Sequence, residues 1–213
     1  MARAEKLLVF VKAPRPGAVK TRLAQTIGDV PACAAYRRIV ATLLNHLQNL
    51  GAVELCFTPD DAIAEIQPWL EKGWQAAPQG DGDLGLRLHS AFERAFAAGA
   101  QRVLAIGSDC PMVTVELLRE AWDGLRSHDV VLGPASDGGY WVIGLRQVHP
   151  ELFQNIPWST EDVFGESLKR IHRAGLSIHV LRELADVDTE RDWRTFLAAL
   201  NQDGKKAQAR YPA

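Results

Sequence analysis

Two apolar segments lie close together in the stretch DVVLGPASDGGYWVIGL, Asp129–Leu145. DVVLG and YWVIGL both have the apolar run of a buried strand. Six residues, Pro134–Gly139, separate them, and so short a connection cannot hold a crossover helix. We therefore predict that these two strands are antiparallel or joined by a wide bend.

On both sides of this pair, short apolar strands alternate with segments of helical periodicity. The predicted strands lie at 7–11, 53–57, 102–107 and 177–181, and the predicted helices at about 31–50, 60–70, 84–96, 114–125, 160–174 and 189–200. Repeated strand–helix units favour an α/β fold, a mostly parallel mixed sheet with helices on both faces, Rossmann-like in type. We expect a single domain over residues 1–200 and a frayed polar tail over 201–213.

Composition limits the classes of function. The chain has 213 residues, of which 47% are hydrophobic and 23% charged, as in globular proteins. A net charge of −2 gives no basic field for nucleic acid, so no nucleic-acid partner is expected. Cys33, Cys56 and Cys110 form neither a CxxC pair nor a zinc pattern. The early apolar run Leu7–Val11 is too short to span a membrane, so we expect a cytoplasmic protein with no membrane span, its oligomeric state left open.

The loop KAPRPGAVKTRL, Lys12–Leu23, follows the first predicted strand. It holds four cations and a glycine: Lys12, Arg15, Lys20, Arg22 and Gly17. Lys and Arg suit phosphate charge, and glycine allows a ligand to approach the backbone closely. The loop matches neither Walker A nor GxGxxG. It predicts a phosphate-binding loop, with a solvated basic loop as the alternative.

Two carboxylates follow strands that end at the same predicted edge. Asp109 comes after the strand at 102–107, where ligands bind in such sheets. It is a candidate Mg²⁺ ligand, or else a helix cap, although Thr114 is better placed to cap. Asp188 follows the last strand and is the candidate second ligand, with Asp186 as its substitute.

Two glycine-containing loops complete the set. In ASDGGYW, 135–141, paired glycines allow a tight turn or a ligand against the backbone. We predict that Gly138, Gly139 and Tyr140 contact substrate, with packing as the alternative for Tyr140 and its neighbour Trp141, and that Asp137 is the candidate general base. In QGDGDLGLRL, 79–88, Arg87 lies near a helix N-terminus that suits an anion.

The segments VKAPRPGAVKTRLA, GSDCP, SDGGYWVIGL, IPWST and DVDTERDW together resemble the GT-A nucleotide-diphospho-sugar transferase superfamily, and within it a bacterial glycosyltransferase-like family. The resemblance covers roughly residues 5–200. The first loop and DVDT are also similar to 2-phospho-lactate guanylyltransferases. The resemblance implies a GT-A fold, a nucleotide held by the loop at 12–22, and Mg²⁺, or Mn²⁺ in its place, on Asp109 and Asp188.

Two features depart from that superfamily. A DxD motif ending at Asp109 would need an Asp where Gly107 stands, which weakens the case for sugar transfer. The GxGxR loop of sugar-nucleotide pyrophosphorylases is also absent from the sequence, which weakens the case for nucleotidylyl transfer to a sugar 1-phosphate.

These residues predict a Mg²⁺-dependent transferase that uses an activated nucleotide. The first expectation is glycosyl transfer from a nucleotide-diphospho-sugar to an acceptor of unknown identity. The alternatives are nucleotidylyl transfer from an NTP to a phosphorylated small molecule, with pyrophosphate release, and a non-catalytic nucleotide-binding protein. In either transfer Lys20 and Arg22 hold phosphate charge, with Lys12 and Arg15 behind them.

Overall fold

The computed structural model describes the backbone of residues 5–210 and the side chains of residues 5–202. Within these residues seven strands form one sheet, in the order β3-β2-β1-β4-β6-β5-β7. The strands are β1 Glu5–Lys12, β2 Val53–Thr58, β3 Gln75–Pro78, β4 Arg102–Gly107, β5 Val130–Pro134, β6 Tyr140–Leu145 and β7 Ile178–Val180. The helices are α1 Thr21–Ile27, α2 Asp29–Leu47, α3 Ile63–Ile66, α4 Leu84–Ala97, α5 Val115–Gly124, α6 Val163–Arg173 and α7 Glu190–Arg210.

The antiparallel strand predicted at Tyr140–Leu145 is confirmed. β6 runs against both of its neighbours, with Val103 of β4 and Val130 of β5 each opposite Leu145. The other pairs are parallel. The sheet is therefore mixed and mostly parallel, as predicted, and the carboxyl ends of β1, β2, β3, β4, β5 and β7 lie at one edge.

Alternating residues of β1 face two separate cores. Leu7, Val9 and Val11 pack with α2 and α5 on one side of the sheet. Leu8 and Phe10 pack with α4 and α6 on the other. Both faces are thus covered by helices, as predicted. Trp141 is buried on the α2 and α5 side, where its Nε1 donates to the Arg182 carbonyl at 3.0 Å.

Four elements differ from the sequence predictions, and one of them, α1, is a short helix that begins inside the segment expected to be a loop. The helix expected at 60–70 is the short α3 followed by a 3₁₀ turn at Gln67–Trp69, because Pro68 cannot donate the next helical hydrogen bond. Edge strand β3 has two exposed and two half-buried residues and lacks an apolar pattern, so it was not predicted. α7 extends to Arg210, past the predicted helix end at 200 and into the segment 201–213 that we expected to be a polar tail. Residues 211–213 lie outside the described part of the chain.

Among the described helices, none is both long and apolar enough to cross a membrane.

Candidate functional site

A cleft of about 780 Å³ opens at the edge where the parallel strands end. Its residues come from the ends of β1 and β4, the start of β6 and the loops that meet there. The loops after β1, β4, β5 and β7 converge on it, because these strands all end at this edge. This is the crevice in which ligands of such sheets bind.

Lys20 lies at the centre of the charged part of the cleft. Its backbone is left-handed, with φ 49° and ψ 46°, a conformation rarely adopted by residues other than glycine. Its side chain is only 2% exposed and its Nζ contacts Asp109 Oδ1 and, at 3.0 Å, Asp188 Oδ1. Burial disfavours the ammonium, but the charges of Asp109 and Asp188 outweigh it and raise the pKa of Lys20 above its usual value. Arg22 Nη1 lies 3.3 Å from Asp188 Oδ2.

The two acidic loops are tied to each other. The Val187 amide donates to the Asp109 carbonyl at 3.0 Å, which fixes the loop before α7 against the loop after β4. Asp186 is engaged elsewhere: the Cys110 thiol donates to its Oδ1 at 2.5 Å, and burial raises the pKa of Asp186 to about 7. The structure therefore brings Asp188, rather than Asp186, together with Asp109 on one ammonium group.

A buried tyrosine holds the ends of β1 and β4 in place. The Tyr36 hydroxyl on α2 accepts from the Lys12 amide at 2.8 Å and contacts Ser108 Oγ at 3.0 Å. Burial raises the pKa of Tyr36 to about 12. No role had been predicted for Tyr36 from the sequence. The sequence offered one signal for it. Tyr36 lies at helical spacing from Ile39 and Leu43, so it is a tyrosine, with a polar hydroxyl, on the otherwise apolar face of a helix that packs against the site.

The four predicted phosphate-binding cations separate into two groups. Lys12, Lys20 and Arg22 line the cleft, whereas Arg15 and Gly17 do not. Arg15 points toward α3, with its Nη2 2.5 Å from Glu65 Oε1 and 3.3 Å from Asp61 Oδ1.

Arg87 also stays outside the lining of the cleft and reaches it through Gln79. The buried Gln79 amide donates to the carbonyls of Val11 at 3.2 Å and Cys56 at 2.9 Å. These bonds turn its Oε1 toward Arg87, whose Nη1 lies 3.5 Å away. No role for Gln79 had been predicted from the sequence.

The remaining wall of the cleft consists of residues 137–140 and 158–161, which we call the β6 wall. Asp137, Gly139 and Tyr140 line the cleft, and the Gly139 amide donates to Asp137 Oδ1 at 2.9 Å. Gly138, with φ 89°, instead packs against the backbone of Glu161, which any Cβ there would overlap. From the sequence, Trp158, Ser159 and Thr160 had no predicted role beyond the motif IPWST, and Glu161 had none.

The floor of the cleft is open at Gly107. A Cβ built on Gly107 meets nothing within 4 Å. Gly107 stands where a DxD motif would have its first Asp. It is therefore not required by close packing, and it leaves free volume beside Asp109.

Comparisons with known proteins agree with this architecture. Residues 43–160 match the family described as uncharacterized proteins conserved in bacteria, DUF2064. A crystal structure from Desulfovibrio desulfuricans G20, provisionally assigned as a nucleotide-diphospho-sugar transferase, is 37% identical with a TM-score of 0.82, over 87% of this chain and 83% of that chain. A search of curated proteins found no match.

More distant structures share the fold at low identity. CMP:2-keto-3-deoxy-manno-octonic acid synthetase complexed with CTP is 12% identical with a TM-score of 0.62, over 94% of this chain and 100% of that chain. The 4-diphosphocytidyl-2C-methyl-D-erythritol synthase of Anaerococcus prevotii DSM 20548 is 12% identical with a TM-score of 0.62, over 93% and 97%.

Proposed function

Because this chain belongs to the DUF2064 family and to the nucleotide-diphospho-sugar transferase superfamily, we propose that it is a magnesium-dependent transferase that uses an activated nucleotide. The proposed donor is a nucleotide-diphospho-sugar. The observation that carries the proposal is the cluster of Lys20, Arg22, Asp109 and Asp188 at the carboxyl edge of the sheet.

The donor set suits Mg²⁺ bound together with a nucleotide. Protein sites for Mg²⁺ commonly supply one or two carboxylates and leave the other positions to water and phosphate oxygens. No group of three or more His, Cys, Asp or Glu side chains that could hold a metal is found among the described residues, so a self-contained protein cage is not expected. Asp109 and Asp188 converge on the Lys20 ammonium, which marks a position that favours a cation. Held by these two carboxylates, Mg²⁺ would neutralise phosphate charge and act as a Lewis acid.

The residues of the chain then take distinct roles. In this proposal Lys20 and Arg22 bind phosphate oxygens, and Lys12 also lines the cleft. Asp137 faces the cleft with one oxygen fixed by the Gly139 amide, so its other oxygen is available to accept a proton from an acceptor hydroxyl. Positioning and charge neutralisation would supply most of the rate enhancement, because charge develops on phosphate oxygens.

Nucleotidylyl transfer is the second candidate. It is favoured by the shared fold with the two cytidylyl-transferring synthetases, one of them solved with CTP. Released products separate the two reactions, since pyrophosphate forms only in nucleotidylyl transfer and a nucleoside diphosphate only in glycosyl transfer.

The test is a thermal-shift panel of nucleoside diphosphates, triphosphates and nucleotide-sugars, with and without Mg²⁺. A specific ligand should raise the melting temperature by mass action. Asp109→Asn should abolish the Mg²⁺-dependent part of the shift, whereas Asp123→Asn, an exposed change on α5, should keep it. No Mg²⁺-dependent shift with any nucleotide, or an unchanged shift in folded Asp109→Asn, would contradict the proposal.

A further inference from the structure

Charge is distributed unevenly around the cleft. The three cations that line it, Lys12, Lys20 and Arg22, come from β1, the loop after it and the start of α1. The carboxylates that line it are Asp109, Asp137, Glu161, Asp186 and Asp188. Among the described lining residues, carboxylates therefore outnumber cations by five to three. The described lining residues of the β6 wall include Asp137 and Glu161 and no Lys or Arg.

The β6 wall also carries an aromatic surface. The rings of Tyr140 and Trp158 meet edge to face, with centroids 6.4 Å apart and an interplanar angle of 81°. Both rings line the cleft, together with Leu84 and Leu88 of α4. Within the described part of the chain the Tyr140 hydroxyl has no hydrogen-bond partner, so it is free to bond a ligand.

Close packing holds this wall rigid. The Phe164 amide donates to the Gly138 carbonyl at 2.9 Å, and Gly138 lies against the backbone of Glu161. Trp158 is in turn packed against Gly85 at the start of α4. A preformed wall binds a ligand without the entropic cost of ordering its own segments.

We propose that the β6 wall binds the acceptor, and that the acceptor is an uncharged, hydroxyl-bearing compound such as a sugar or polyol. This inference rests on the proposed function, which places the nucleotide phosphates on Lys20 and Arg22. Aromatic rings pack against the apolar faces of such compounds, and the carboxylates of Asp137 and Glu161 accept hydrogen bonds from hydroxyls. A phosphorylated acceptor would place its negative charge beside those carboxylates, which disfavours its binding. The wall therefore favours glycosyl transfer over nucleotidylyl transfer to a phosphate.

The test uses the whole chain with Mg²⁺ and whichever of UDP, GDP, CDP, ADP and dTDP raises its melting temperature most. Saturation-transfer-difference NMR then compares glucose with glucose 6-phosphate, and glycerol with glycerol 3-phosphate. We expect a saturation-transfer signal for the neutral member of a pair and no such signal for its phosphorylated partner. In Tyr140→Ala the neutral signal should also be lost, while the thermal shift with nucleoside diphosphate is retained.

A charge reversal provides the matched control. Glu161→Lys should produce a saturation-transfer signal for the phosphorylated compounds. Glu71→Lys, the same change at an exposed residue outside the cleft lining, should produce none. Three outcomes would each overturn this inference without touching the proposed function. They are a stronger saturation-transfer signal for the phosphorylated members in the unmodified protein, no signal for either neutral member, and identical signals in the two Lys variants. Absence of any Mg²⁺-dependent thermal shift would overturn the proposed function and the inference with it.

Discussion

The Lys20 ammonium lies 3.0 Å from Asp188 Oδ1, although the two residues are 168 positions apart in the sequence. The contact joins the loop after the first strand to the loop before the last helix, and Asp109 of the loop after β4 meets the same ammonium. With a side chain only 2% exposed, Lys20 is screened from water far more than Asp109, whose side chain is 52% exposed. One cation thus neutralises two acidic loops and leaves the more exposed carboxylate facing the cleft.

The first prediction concerns this lysine. Lys20→Met should weaken binding of a nucleoside diphosphate by about 1.5–3 kcal/mol, the value of a hydrogen bond to a charged group, and leave nucleoside binding unchanged. Calorimetric titration of both ligands measures the difference. Arg15→Met is the matched control, because Arg15 is directed toward Glu65 outside the cleft lining and its loss should change neither affinity. Equal losses for nucleoside and diphosphate would indicate a structural role for Lys20.

Much of the fold follows from connection lengths and periodicity. Six residues between two apolar segments leave no room for a crossover helix, so the antiparallel placement of β6 could be predicted. The meeting of Lys20, Asp109 and Asp188 follows in the same way, since parallel strands end at one edge. Edge strand β3 could not be predicted, because an exposed four-residue strand has no apolar alternation to detect.

The direction of each side chain in the site depended on contacts distant in sequence. Four cations in one loop look equivalent, but Arg15 faces Glu65, 50 residues away, and Lys20 turns inward through a left-handed backbone. Tyr36 reads as a member of an apolar helix face, because only the fold brings the Lys12 amide and Ser108 to its hydroxyl.

The second prediction separates two neighbouring carboxylates. Asp188→Asn should reduce Mg²⁺-dependent nucleotide binding more than Asp186→Asn, because Asp188 shares a cation with Asp109 whereas Asp186 accepts from the Cys110 thiol. Titration of Mg²⁺ at fixed nucleotide concentration gives the two apparent affinities. A larger effect of Asp186→Asn would reverse the assignment, and no effect of either change would remove this loop from the metal site.

The third prediction tests the tyrosine that joins β1 to β4. Tyr36→Phe should lower the free energy of unfolding by about 1–3 kcal/mol, because it leaves the Lys12 amide and Ser108 hydroxyl without their partner in a buried setting. Tyr140→Phe also removes a tyrosine hydroxyl, but one with no hydrogen-bond partner among the described residues. It should change the free energy of unfolding by less than ~0.5 kcal/mol. Urea denaturation of both variants measures the contrast, and equal losses would argue against the Tyr36 contacts.

The last prediction concerns the close approach of Gly138 to Glu161. Gly138→Ala should lower the free energy of unfolding through two effects: a left-handed backbone that costs an L-residue about 1–2 kcal/mol, and overlap of the new Cβ with the Glu161 backbone. Gly175→Ala isolates the first effect, since Gly175 also has a positive φ, of 69°, but its Cβ would meet nothing within 4 Å. Thermal or urea unfolding should therefore rank Gly138→Ala below Gly175→Ala, and both below the unmodified protein. If the two variants were equally stable, Gly138 would be needed only for its positive φ. The Glu161 backbone would then be able to shift and accommodate a Cβ at Gly138. A rigid wall requires the opposite result, because a Cβ at Gly138 would overlap the Glu161 backbone while the Gly138 carbonyl accepts from the Phe164 amide on the same segment.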